Sequence, residues 1–376
     1  MPEDLSPSSD ERAFVLSYKD VAQVLREVKL GSLIFHLAKE IEAVYADSDV
    51  RPVKRLGWST PPNALEIMGC QAADFTCVKL ISSIPGPNED PTVTGTLLCT
   101  DKETDQARLV CDAAFLTPLR TAATTAVMMR QAAPGVQSLG IIGAGLEGIT
   151  HALVLAFLLE SITTIQLLDI DSEQAETAVG EIAYLLDREG LRVSRDLDLK
   201  VCEDVHDLYR SNALVTATFA EGDVDVLRDT ELIPDGLFIA AVGADLETKR
   251  ELPDQIYQRA KFIADDLQQC LVDGELQYAK GYCCQPGEEE SVQDHRGSLA
   301  HGRILSAADF LEDPDPFIAR SEGITIYDSA GFSGQDLAIA RVLLSVLEER
   351  GWKRQSWNPT GSHSLVDLLG CGSLTR

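Results

Sequence analysis

The stretch 138–170, SLGIIGAGLEGITHALVLAFLLESITTIQLLDI, decides the fold. Residues 139–142 are an apolar run of strand length, ending on Gly143-Ala144-Gly145-Leu146-Glu147-Gly148. A long apolar, helix-favouring segment follows, and 164–170 is a second strand-like run. Strand, helix and strand at this spacing imply a parallel sheet with right-handed crossovers. The six-residue turn fits G-x-G-x-x-G, a pattern that is common by itself. Between a strand and a helix start it acquires a mechanism: Gly143 permits the tight turn, Gly145 lets a pyrophosphate approach the backbone, and Gly148 lets the helix pack on the sheet. The anion then rests at the helix N-terminus.

Asp169 ends the second strand, at the distance such turns place the acid that bonds a ribose 2′-hydroxyl. A carboxylate there repels a 2′-phosphate, so NAD is predicted over NADP. Asp169 could instead cap the helix that follows, but Asp171 and Ser172 are better placed for that, with Gly190 as the C-cap. Glu147 stands inside the turn, where a pyrophosphate would repel it, and is given no phosphate role.

Working outward, 212–218 (NALVTAT) and 236–243 (GLFIAAVG) read as further buried strands. On the N-terminal side, 18–47 has helical spacing with a break expected at Gly31. Extended runs follow at 65–68, 77–84 and 94–99, and 95–115 reads as a hairpin turning at 101–106. Residues 337–351 form an amphipathic helix ending at Gly351, and 352–376 look irregular. The segment 285–302, with Glu288, Glu289 and Glu290, reads as a solvated surface loop.

A chain of 376 residues suits two domains. Its 45% hydrophobic and 24% charged residues are those of a soluble globular protein. No apolar run is long enough to span a bilayer, and 1–14 lacks the order of a secretory signal, so a cytoplasmic location is expected. Net charge is −28, from 32 basic and 60 acidic residues. That field repels phosphate backbones, so neither nucleic acid nor an anionic membrane is an expected partner. Nine cysteines without a C-x-x-C pair, and six histidines without ligand spacing, argue against a zinc site.

Several charged residues sit in apolar or small surroundings. Lys79 is the only charge between Asp74 and Glu89, in a strand-like run. Taken alone, such a lysine buries its stem and snorkels its head to water. Arg120, in LTPLRTAATTA, suits close approach of a carboxylate or a structural ion pair. Glu66 is a lone acid in NALEIMG, downstream of Arg55. Asp245 follows the strand 236–243, at the sheet edge where such folds place ligand-facing groups. Its residues alone would equally suit a helix cap.

The order Arg55, LEIMG (65–69), VKLISSIPGPN (78–88), LTPLRTAATTA (116–126), GIIGAGLEG (140–148), LLDID (167–171), LVTATF (214–219), VGADLETKREL (242–252) and DSAGFSGQDLAIA (328–340) resembles the ornithine cyclodeaminase and mu-crystallin family. The resemblance runs from about 14 to 350, and its most specific parts are RTAA and GAD…K.EL. It implies an α/β protein with a Rossmann-type NAD-binding domain (126–321) inserted into an α+β substrate-binding and dimerisation domain (1–125 and 322–376), paired as a homodimer. It also implies hydride exchange between a nicotinamide and the α-carbon of an amino or imino acid.

Carried over by position, Arg55, Lys79 and Arg120 would hold the substrate carboxylate. Asp245 would be the acid/base, with Lys79 and Glu66 also at the reacting centre and Glu66 beside the amino groups. Thr121, Thr216, Thr218 and Lys249 would join Gly143, Gly145, Gly148 and Asp169 around the cofactor. The sequence departs from the family at Glu147, where Gln is frequent, and in 80–88, which differs from an NGHP-like form. The expected activity is an NAD-dependent cyclodeaminase converting L-ornithine or a similar diamino acid to a cyclic imino acid such as proline plus ammonia. The alternatives are an imine (ketimine) reductase or amino-acid dehydrogenase, including a diaminopropionate or siderophore-pathway oxidative enzyme, and a binding protein that has lost catalysis.

Overall fold

Ser138–Ile142, the strand that carries the glycine turn, pairs in parallel with Thr164–Leu168 on one side and Ala213–Thr216 on the other. These belong to a nine-stranded sheet in the computed structural model, which describes residues 12–60, 63–83, 93–191, 197–220, 226–284, 287, 292, 295–318 and 323–356. The N-terminal lead-in 1–11, the segment 84–92, most of 285–294 and the terminal 357–376 lie outside the described residues.

The sheet runs in space Ser298–Leu299, Ile304–Ser306, Ala260–Ala264, Ile324–Asp328, Phe238–Ala241, Ala213–Thr216, Ser138–Ile142, Thr164–Leu168, Asp198–Val201. Every neighbouring pair is parallel except the first. Its central strands are short and buried along their whole length, as a sheet with both faces covered requires. From Ser138–Ile142 the chain steps outward to Thr164–Leu168 and Asp198–Val201, then crosses to Ala213–Thr216 on the other side. The reversal opens a crevice at the carboxyl ends of the strands, where sheets of this type bind ligands.

The outer sheet has seven strands, ordered Gln355–Ser356, Arg12–Leu16, Ala107–Asp112, Val93–Asp101, Phe75–Ser83, Asn63–Gln71, Arg51–Thr60. From Ala107–Asp112 to Arg51–Thr60 it is an antiparallel meander, including the expected hairpin. Helix Ser333–Glu349 lies across its centre and packs on helices Leu30–Ala46 and Leu116–Ala132.

Three expectations are corrected. The boundary at 321/322 assigns Ile324–Asp328 to the outer domain, but this strand is wedged between Phe238–Ala241 and Ala260–Ala264. Its residues ITIYD are almost wholly buried, so only a position between two covered strands suits them. The boundary at 125/126 falls inside the continuous, buried helix Leu116–Ala132. Gly31 does not break its helix either. The break is at Val28 and Lys29, where the backbone turns extended, and Gly31 lies in the first turn of Leu30–Ala46. A Cβ at Gly31 would stand 2.8 Å from Phe157 Cζ, so this glycine serves close packing between helices.

Asp171 caps helix Ser172–Arg188, accepting from the Glu173 and Gln174 amides, and Gly190 leaves it with φ +63°. No helix among the described residues is long and apolar enough to cross a membrane. Among the same residues no group of three or more His, Cys, Asp or Glu is placed to hold a metal ion.

Candidate active site

The glycine turn has the shape its sequence asks for. Gly143 has φ +105°, and a Cβ there would meet the Ala217 carbonyl at 2.3 Å; one on Gly148 would strike the Gly143 carbonyl. Gly145, by contrast, faces open space and heads helix Leu146–Leu158 with no side-chain cap. The first helical amides are thus free to meet an anion. Asp169 stands at the end of Thr164–Leu168 and accepts from the Ala144 amide at 2.7 Å, tying the second strand to the turn. This cradle fits a dinucleotide pyrophosphate.

Beyond the turn, a cleft of about 210 Å³ is lined by Arg120, Thr121, Glu147, Thr218, Asp245 and Lys249 among others. Asp245 accepts from Lys249 Nζ at 2.6 Å. Burial opposes its charge, but Lys249 and Arg55 outweigh that and hold its pKa below the ordinary carboxylate value. Lys249 is fixed in turn by the Phe219 ring, 4.3 Å from the ammonium.

Arg55, from the outer sheet, braces the wall of this cleft through the carbonyls of Asp245, Ala330 and Gly331. The pairing of Arg51–Thr60 with Asn63–Gln71 slips between Val53 and Leu56, and such a bulge re-aims a side chain. Arg55 Nη1 donates to the Asp245 carbonyl at 3.0 Å and to Glu66 Oε1 at 3.2 Å, and Nη2 donates to the Ala330 and Gly331 carbonyls. Its Nε is buried and has no hydrogen-bond partner. Arg55 and Glu66 also line a larger cavity of about 570 Å³, with Asp273 and Glu247 on its walls. Asp273 lies 3.8 Å from Arg55 Nη1. Burial raises the pKa of both Glu66 and Asp273, against the pull of Arg55.

Lys79 is only 2% exposed, so it does not snorkel. Alternation along Phe75–Ser83 turns it inward with Cys77, and its Nζ donates to Asp336 Oδ1 at 3.0 Å. Arg120 approaches the same oxygen, with Nε at 3.4 Å but without a hydrogen bond, while its Nη1 donates to Gln335 Oε1. Asp336 Oδ2 is buried without a partner. A Cβ on Gly331 would be 2.9 Å from Arg55 Nη2 and 3.5 Å from Arg120 Nη2, so the two guanidinia converge there. Burial, helped by Arg120, lowers the pKa of Lys79 to about 8.

Not every expected residue lies in the cleft. Lys79 is packed behind it. Thr216 is wholly buried and donates its hydroxyl to the Glu251 carboxylate, Oε2, at 2.6 Å. The Thr121 hydroxyl donates to the Thr117 carbonyl. Glu251 itself was not singled out in sequence, although it belongs to the K.EL segment. It ties the crevice together, accepting also from the Thr218 amide and hydroxyl and the Gly243 amide. Gln335 and Asp336 were missed as well, because the amphipathic pattern starts at Leu337 whereas the helix starts at Ser333. The signal available was the polar pair in SGQD ahead of an apolar helix.

A sequence profile described as the ornithine cyclodeaminase/mu-crystallin family matches residues 19–350. The L-lysine cyclodeaminase of Streptomyces rapamycinicus is 28% identical over 350 residues, covering 90% of this chain and 93% of that protein. The alanine dehydrogenase of Archaeoglobus fulgidus is 28% identical over 285 residues, covering 74% of this chain and 79% of that protein. A solved lysine cyclodeaminase, described for its recognition of L-lysine, L-ornithine and L-2,4-diamino butyric acid, superposes with a TM-score of 0.77 at 26% identity, covering 92% of this chain and 96% of that one.

Proposed function

The chain belongs to the ornithine cyclodeaminase/mu-crystallin family, and from that premise we propose that it is an NAD-dependent cyclodeaminase of a diamino acid such as L-ornithine. The observation that carries this reading is the convergence of buried Arg55 and Arg120 on Gly331, each with an Nε that makes no hydrogen bond, beside a cavity walled by Glu66, Asp273 and Glu247. The cations suit an α-carboxylate and the acids suit a second, distal ammonium. A monoamino acid would leave the acids unused. The glycine cradle and Asp169 support NAD as the dinucleotide, and relatives that are cyclodeaminases and dehydrogenases support an enzyme.

Held at the glycine turn and Asp169, NAD would supply a hydride acceptor for the α-carbon and, once reduced, a hydride donor for the cyclic imine. In the proposed cycle, Arg55 and Arg120 grip the carboxylate, and Lys79 adds positive potential from behind them. Low water content makes these charges effective. Asp245, ionised and pinned by Lys249, takes the proton of the attacking distal amine and passes one to the departing ammonia. Glu66 steers the distal amine toward the α-carbon. Net redox is zero, with ammonia and a cyclic imino acid as products. Homodimer formation through the outer sheet is part of the same proposal: Val53, Leu56, Trp58, Leu65 and Leu80 leave apolar surface exposed on it.

The test is stoichiometry. Incubation with NAD and ornithine, lysine or diaminobutyrate should release ammonia and cyclic product without accumulating NADH. Glu66→Gln should slow that reaction by roughly 10²-fold while sparing reduction of a preformed cyclic imine. NADH changing in step with substrate would replace the cyclodeaminase reading with a dehydrogenase or reductase. A second check uses pH. The substrate carboxylate needs Lys79 charged, a form present below pH 8 and lost above it. The ratio kcat/KM should therefore fall about tenfold per pH unit above about 8. Lys79→Arg, always charged, should abolish that fall; a fall that persists in Lys79→Arg would assign it to another group.

A further inference from the structure

Glu147 takes no part in the roles above, yet it lines the same small cleft as Arg120 and Asp245. It sits at the head of helix Leu146–Leu158, and its Oε1 is buried without a hydrogen-bond partner. His151, one turn on, lies 3.6 Å from that oxygen but cannot neutralise it. Burial pushes the imidazole down to about 4, and its two nitrogens contact the Glu147 carbonyl and the Thr125 hydroxyl. The other groups facing Glu147 are Arg120 and Thr121 from helix Leu116–Ala132, Lys79 from the outer sheet, and Asp245, with Thr218 and Lys249 on the same cleft wall. Burial raises its carboxyl to about 7, with Arg120 pulling the other way.

In the reading above, on which the inference rests, Arg120 grips the carboxylate next to the reacting carbon and Asp245 moves the protons of its amines, so a hydride acceptor lies in the cleft that both line. A nicotinamide changes charge on reaction: the substrate C–H bond breaks, hydrogen leaves with its electron pair, and the cationic ring becomes neutral. The pyrophosphate is the same in both forms, so its repulsion by Glu147 cancels when the two are compared. We propose that ionised Glu147 sets the balance of the bound nicotinamide, favouring the oxidised, cationic ring over the reduced one.

The experiment measures dissociation constants of NAD+ and NADH for the wild type and E147Q, by calorimetry between pH 6 and 8.5. For the wild type, the ratio Kd(NAD+)/Kd(NADH) should fall roughly tenfold as pH rises through about 7. In E147Q it should stay flat, at a value about tenfold above the wild type at pH 8.5. A structural role alone would weaken both forms alike. An unchanged ratio in E147Q, or a flat wild-type ratio, would overturn the role of Glu147 and leave the cofactor assignment standing. Failure of the wild type to bind either form would overturn both.

Discussion

Asp245→Asn is expected to reduce turnover by about 10²–10⁴-fold, the usual contribution of a positioned acid/base, with little change in stability. The substitution preserves volume and leaves an oxygen for Lys249 Nζ, which now sits 2.6 Å from the carboxylate. The Asp245 carbonyl still accepts from Arg55 Nη1, so the wall between cleft and cavity keeps its shape. What disappears is the capacity to take a proton. With its pKa held below the ordinary carboxylate value by Lys249 and Arg55, Asp245 is ionised at neutral pH and ready as a base. Single-turnover kinetics with saturating cofactor would check this. Turnover within tenfold of the wild type would remove Asp245 from the mechanism.

Asp336→Ala should cost about 3–5 kcal/mol of folding stability, because it strips the counter-charge from buried cations. Lys79 Nζ would lose its only side-chain hydrogen bond among the described residues, at 3.0 Å, and Arg120 its 3.4 Å ion contact. Lys79 already has a pKa lowered to about 8 with the carboxylate in place. Without it the ammonium is less favourable still, so the variant should bind substrate carboxylate poorly even where it folds. Urea unfolding reads the first effect and substrate titration the second. A double variant, Lys79→Met with Asp336→Leu, should recover much of the stability, since an apolar pair can replace a buried ion pair, and should recover none of the binding. Asp336→Ala within 1 kcal/mol of the wild type would mean that the pair contributes no more than an exposed one.

Local sequence determines the nucleotide-binding half in unusual detail. Ser138–Ile142, its glycine turn, helix Leu146–Leu158 and the Asp171 cap are written in contiguous residues, because each depends on propensity, φ or a near-neighbour hydrogen bond. The hairpin of Val93–Asp101 with Ala107–Asp112 is legible for the same reason. Gly31 misled because a glycine in a helical pattern signals a break equally well whether it serves the backbone or a neighbouring side chain such as Phe157.

Lys79 divides the two kinds of information. From its sequence it is a cation in an apolar strand, and the candidate cations, acid and base can be named. Its partner, Asp336, is 257 residues away. Pairing across that separation depends on helix Ser333–Glu349 lying over the outer sheet, which no local pattern encodes. The same holds for Asp273 beside Arg55, for Glu251 joining the Thr216–Thr218 turn to Gly243, and for Ile324–Asp328 in the inner sheet. Sequence determined which groups carry charge. Tertiary structure decided which of them meet and which are buried, because Coulomb energy and desolvation depend on distance and surroundings in space and not on separation along the chain.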